Sequence, residues 1–125
     1  MKLTVLGSEG GLTQVGCAED ITLMDFQAGG EPLQDLLGPG CYAGKILLNL
    51  ERASFIDSAG VGWLVKCHKH CQENGGRLVL HSIPPMIHHV FQLLRLHSLL
   101  HLAPDQAAAV ALAQGSNSAP GPGGR

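Results

Sequence analysis

The chain has 125 residues, the length of one domain with no room for a second. Apolar residues make up 45% of it, enough for a core, while charged residues make up only 14%, against roughly 25% in an average soluble domain. The formal net charge is -2 and no lysine or arginine cluster occurs, which argues against charge-driven binding to nucleic acid or to an anionic membrane. No apolar run approaches the roughly 18 residues of a membrane span, and Met1-Lys2-Leu3-Thr4-Val5-Leu6 turns polar at once, so a soluble, untargeted protein is expected. The expectation is a cytoplasmic protein with Cys17, Cys41, Cys67 and Cys71 as reduced thiols.

In chain order, Leu3 to Leu6, Leu12 to Cys17 and Ile21 to Phe26 read as extended, separated by Gly10-Gly11 and Glu19-Asp20. Two or three antiparallel strands are expected there. Pro32 to Leu37 fits one and a half helical turns stopped by Gly38-Pro39. Ile46 to Leu50 is a short continuous apolar run, the pattern of a strand covered on both faces, and an irregular connection follows over Glu51 to Ser54. From Val61, the positions Val61, Leu64, Val65, His68 and Cys71 repeat at helical spacing, and Gly75-Gly76 stops a helix of about 14 residues.

Arg77 to His81 is a second apolar strand, so strand, helix and strand follow with short connections and predict two parallel strands. Pro84-Pro85 opens another helix with Ile87, Val90, Phe91 and Leu94 on its apolar face. Leu99 to Leu102 makes a last short strand or turn, and an Ala-rich helix runs to about Ala113. The predicted fold is a single α/β domain over residues 1–113, a mixed sheet with helices mainly on one face. Residues 114–125, rich in Gly, Pro and Ser, have nothing to bury and read as a disordered tail.

The most informative stretch is Phe55-Ile56-Asp57-Ser58-Ala59-Gly60-Val61-Gly62, between a strand and the long helix. Asp57 or Ser58 can cap the helix by accepting a first-turn N–H. Gly60 and Gly62 let that turn approach the sheet. Counting about 100° per residue, Trp63 falls opposite the stripe that faces the sheet, one turn from Ser58, where it can anchor an interface or be covered by the Gly38 to Gly44 loop.

Other chemistries fit less well. Cys67-His68-Lys69-His70-Cys71 gathers metal-binding side chains, but on a helix these spread over an arc of about 160° and do not close on one tetrahedral ion. Core or rim packing is the expectation for them, with no metal and no cofactor. A catalytic triad of Ser58 with His81 or His101 and Asp105 lacks the glycine two residues before the serine, where Ile56 stands. Gly60-x-Gly62 lacks the third glycine of a dinucleotide loop and no P-loop lysine occurs, so nucleotide binding has no sequence support. The remaining histidines, His88, His89, His97 and His101, read as surface or rim residues.

From about Lys45 to Leu112 the sequence resembles the sulphate transporter and anti-sigma factor antagonist (STAS) domain family. The resemblance rests on Asp57-Ser58-Ala59-Gly60 followed, at the family's separation, by Gly75-Gly76-Arg77-Leu78-Val79-Leu80. It implies a small regulatory binding module of the anti-sigma factor antagonist type, with no catalysis of its own and so not an enzyme. Its serine, here Ser58, would be phosphorylated by an anti-sigma factor of serine-kinase type and released by a serine phosphatase. Asp57, Ser58, Ala59, Gly60, Gly62 and Trp63 would then meet the partner, with Asp20 as a stand-in for the acid of the Gly-x-Leu-Asp-like turn before the family's early helix, a helix shortened or replaced here between Glu19 and Gly44. The alternative within the family is a phosphorylation-independent scaffold or sensor-complex subunit. Asn49 stands where the family strand usually ends in an acid, and Arg95 where it commonly has glycine, so the turn at Arg95 is expected to differ or to be strained.

Overall fold

A computed structural model describes residues 1–114. The expected disorder of 114–125 lies outside the described residues except for Gln114, which ends the last helix. Strands β1 (Lys2–Glu9) and β2 (Leu12–Ile21) form an antiparallel hairpin through Gly10-Gly11, both at positive φ. Two adjacent left-handed residues give the turn whose twist matches the flanking strands, and glycine adopts that backbone without a Cβ clash. β3 (Lys45–Ile56), β4 (Arg77–His81) and β5 (His101–Ala103) complete a sheet in the order β1-β2-β3-β4-β5. β2 to β5 are mutually parallel, as the helical crossovers require.

Helices α1 (Pro32–Leu37), α2 (Ser58–Asn74) and α3 (Pro85–Leu93) contribute Leu33, Leu64, Ile87 and Phe91 to one core with Ile46, Leu48, Leu78 and Leu80 of the sheet. Among the described residues, helix α4 (Gln106–Ala113) alone covers the other face, where Ala109 and Ala113 meet Leu47, Val79 and Ala103. Both faces of the central strands are thus covered, which is why Ile46 to Leu50 is apolar at every position except the half-buried Asn49.

Three expectations are corrected. Ile21 to Phe26 is no strand: β2 ends at Ile21, and Leu23–Asp25 forms a 3-10 turn. The cause is local, since the Thr22 N–H donates to the Asp25 carboxylate at 2.8 Å and so favours a turn over a ladder. Glu51 to Ser54 is not irregular, because β3 continues to Ile56 and stays paired with β2. There the buried positions are Ala53 and Ile56, three apart, because β-bulges at Gly16/Ala18 and Glu19/Asp20 break the two-residue alternation. Helix α2 has 17 residues and starts at Ser58, one turn earlier than the apolar spacing indicates.

Arg95 sits at φ 58, ψ 31, the left-handed conformation that a glycine would adopt freely. Arg95→Gly relieves the Cβ conflict and adds backbone freedom to the unfolded chain. The expected net gain is about 0.5 kcal/mol, read as a higher urea midpoint at unchanged m.

Three histidines are withheld from water: His68 on α2, His81 at the end of β4 and, partly, His101 on β5, whose ring lies 5.2 Å from that of His68. Burial lowers the proton affinity of all three, and His68 and Arg77 lower that of His101 further, while Asp105 and Glu51 partly oppose the effect at His81. The folded protein keeps these rings neutral where the unfolded chain takes up protons. Stability is therefore full above about pH 6.5, the ordinary histidine value, and falls as pH drops below it toward the folded values. Urea unfolding at about pH 7.5 and about pH 5.5 checks this, and equal midpoints would contradict it.

Candidate functional site

The turn from β3 into α2 is built by Asp57. Its backbone N–H donates to the Ile21 carbonyl at 3.1 Å, fixing the turn to the end of β2. One carboxylate oxygen accepts the Gly60 N–H at 2.9 Å, capping α2, and the other accepts the Leu23 N–H at 3.0 Å. These two N–H groups, Gly60 first, hold the carboxyl below the ordinary aspartate range. The carboxylate is thus shared between a helix and a turn 34 residues away in sequence.

Gly60 is buried, and a Cβ there would lie 2.5 Å from the Ile21 carbonyl oxygen and 2.7 Å from Ile56 Cγ1. Close approach is therefore enforced at Gly60. At Gly62 it is not: that residue is exposed with open space around it, a correction to the pairing of the two glycines. Ser58 is the first helical residue and is exposed, and Ala59 is half-buried. Since Asp57 supplies the cap, the Ser58 hydroxyl is not needed for it. Asp20 is exposed and pairs with Phe55, next to the Ile21–Ile56 pair that supports Asp57.

Trp63 is the main correction. It is 5% exposed, so it is no outward anchor. Its indole Nε1–H donates to Glu31 Oε2 at 2.7 Å, and its ring meets Phe26 with centroids 5.7 Å apart. Glu31 also caps α1, accepting from the Leu33 and Gln34 N–H groups at 3.0 and 3.2 Å, and it accepts the Tyr42 hydroxyl. The helical arithmetic places Trp63 correctly on the side away from the sheet. That side, however, is roofed by residues 22–44, so α2 is buried on two sides.

Exposed apolar residues lie beside the Asp57 turn. Leu23, Met24 and Phe55 are 55%, 75% and 46% exposed, and Leu23 is tied directly to Asp57. Sequence reasoning missed all three, together with Glu31. Leu23 and Met24 were concealed by the strand reading of Ile21 to Phe26. Phe55, an aromatic beside Asp57 in the informative stretch, was the available signal.

Cys67 and Cys71 are buried in the core, with the Tyr42 hydroxyl 3.5 Å from Cys67 Sγ. Burial raises both thiols, Cys71 to about 12, so neither is a ready thiolate for metal or nucleophilic work. Among the described residues no three His, Cys, Asp or Glu side chains are arranged to hold a metal ion. No helix among them is long and apolar enough to cross a membrane.

Two substitutions test the roof. Trp63→Ala is expected to cost about 3–5 kcal/mol, as for any buried large aromatic. Glu31→Gln leaves a single carbonyl oxygen for donors that now use two carboxylate oxygens, at a cost of about 1–3 kcal/mol. Because Trp63 is the chain's single tryptophan, Glu31→Gln should also shift its fluorescence emission to the red. An unchanged spectrum would contradict the Glu31–Trp63 contact.

The STAS domain model matches residues 17–109. Among solved structures, the putative anti-sigma factor antagonist of Thermotoga maritima is 17% identical, with a TM-score of 0.73 over 90% of this chain and 93% of that one. The Bacillus cell fate determinant SpoIIAA in its phosphorylated form is 20% identical, with a TM-score of 0.63 over 89% and 99%. The murine anion transporter Slc26a9 is 20% identical, with a TM-score of 0.68 over 89% of this chain and 19% of the transporter. The five-stranded mixed sheet is the fold these proteins share, and with the model matching most of its length the chain belongs to the STAS domain family.

Proposed function

We propose that this STAS domain is an anti-sigma factor antagonist-like regulatory binding protein, non-catalytic, whose partner docks on the α2 N-terminus and is released by phosphorylation of Ser58. One observation carries the reading: Ser58 is exposed at the first position of α2 while Asp57 holds the cap. A kinase can reach the hydroxyl, and its modification removes no bond on which the fold depends. The helix N-terminus tolerates the added anion, about 1.5 to 2 negative charges, while the partner must now desolvate it.

The partner surface is revised from the sequence reading. Ser58 and Gly62 are accessible, with Asp57 and Ala59 half-buried beside them, whereas Gly60 and Trp63 are buried and support the surface from below. Leu23, Met24 and Phe55 supply its apolar area. An anti-sigma factor of serine-kinase type would bind the unmodified form, and a serine phosphatase would restore it. The likeness to SpoIIAA, described in its phosphorylated form, supports this choice over a permanent scaffold. The cytoplasm is the compartment that fits such partners.

Ser58→Ala and Ser58→Asp separate the charge from the fold. Ser58→Ala should change stability by no more than about 0.5 kcal/mol, and Ser58→Asp should be as stable or gain about 0.3–1 kcal/mol from the helix dipole. Affinity purification with Ser58→Ala should then recover a kinase-fold partner that Ser58→Asp releases. Incubation of the wild type with that kinase should add a single phosphate by intact mass. Equal binding by both variants with no phosphate would favour the phosphorylation-independent scaffold.

A further inference from the structure

Both oxygens of Asp57 are committed, one to Gly60 within α2 and one to Leu23 in the 3-10 turn that bears two of the exposed apolar residues. The two bonds differ in what backs them. Gly60 is buried in a helical turn pressed against Ile21, whereas the Leu23 bond is exposed and joins two separate elements. An anion on Ser58, the adjacent residue, repels the Asp57 carboxylate and competes for the same first-turn N–H groups. The carboxylate relieves both effects by turning, and the exposed bond is the one it can give up.

The rest of the turn has other anchors. Thr22 N–H is bonded to Asp25, the Met1 amino group lies 2.6 Å from Asp25, and Phe26 rests on Trp63. Glu31 holds the following segment independently. We propose that Asp57 couples charge at Ser58 to the 22–25 turn: a negative charge on Ser58 releases the Leu23 N–H and changes how Leu23 and Met24 are presented, with the remainder of the roof in place. The coupling deepens, and rests on, the reading of Ser58 as a phosphorylated switch. It makes the switch act on the apolar part of the partner surface as well as on its charge.

Amide hydrogen exchange on the isolated protein tests this without a partner or a kinase. In Ser58→Asp the Leu23 amide should exchange about five-fold faster than in the wild type at low salt, with the difference shrinking in about 1 M salt. Amides of Leu48 and Leu80 in the core should keep their wild-type rates. In an Asp57→Asn background, where the repelled charge is absent, Ser58→Asp should no longer change Leu23 exchange. An unchanged or slower Leu23 amide in Ser58→Asp, or a rise shared by Leu48 and Leu80, would overturn the coupling. Such a failure leaves the switch at Ser58 standing, and a Ser58 that no kinase modifies leaves the coupling measurable.

Discussion

The arrangement of the site depends on how closely the first turn of α2 approaches the end of β2. The Asp57 N–H reaches the Ile21 carbonyl, and Gly60 lies where any side chain would strike that same carbonyl oxygen. With this contact made, β2, β3 and α2 meet at one corner, and the Asp57 carboxylate is left to bind outward. One of its oxygens closes the helix and the other takes the backbone of the next segment. The position of Ser58 and of the apolar residues beside it follows from that corner.

A second carboxylate does comparable work farther along α2. Glu31 starts α1 with both oxygens and also receives Tyr42 and Trp63, so it joins three elements. A partly buried carboxylate is costly to desolvate unless its lone pairs are filled, and here two backbone and two side-chain donors fill them. The roof over α2 is therefore held by polar contacts at two places, with Phe26 on Trp63 between them. This explains why a short stretch lacking a long helix of its own can cover a tryptophan.

The parts of this fold that were legible in the sequence are those fixed by local periodicity. Ile46 to Leu50, the stripe from Val61 to Cys71, Arg77 to His81 and the proline-led α3 each have a pattern only one element satisfies. The illegible parts depend on long-range partners. Nothing within Glu51 to Ser54 reveals that β2 follows it with two bulges, and nothing beside Trp63 reveals an acceptor 32 residues away. The Asp57 cap, with Ser58 beside it, is legible because its motif is local. That Leu23 lies against Asp57 is not, because a backbone bond across 34 residues sets it.

The placement of Ser58 one position inside the cap separates two requirements that conflict in a single residue. A capping hydroxyl is bonded to the helix, and modifying it would exchange a structural contact for a charge. A serine at the first helical position has no such duty, yet it stays within the first turn, where the dipole favours an anion. Asp57, ionised and bonded on both oxygens, holds the helix without help from Ser58. Under the proposed switch, the same adjacency would make the arrangement responsive, because two negative groups on consecutive residues cannot be independent in energy. Asp57 can keep its helix bond or its bond to the 22–25 turn under that repulsion. Of these, the bond to Leu23 is the one whose loss leaves the buried corner of Ile21, Ile56 and Gly60 untouched.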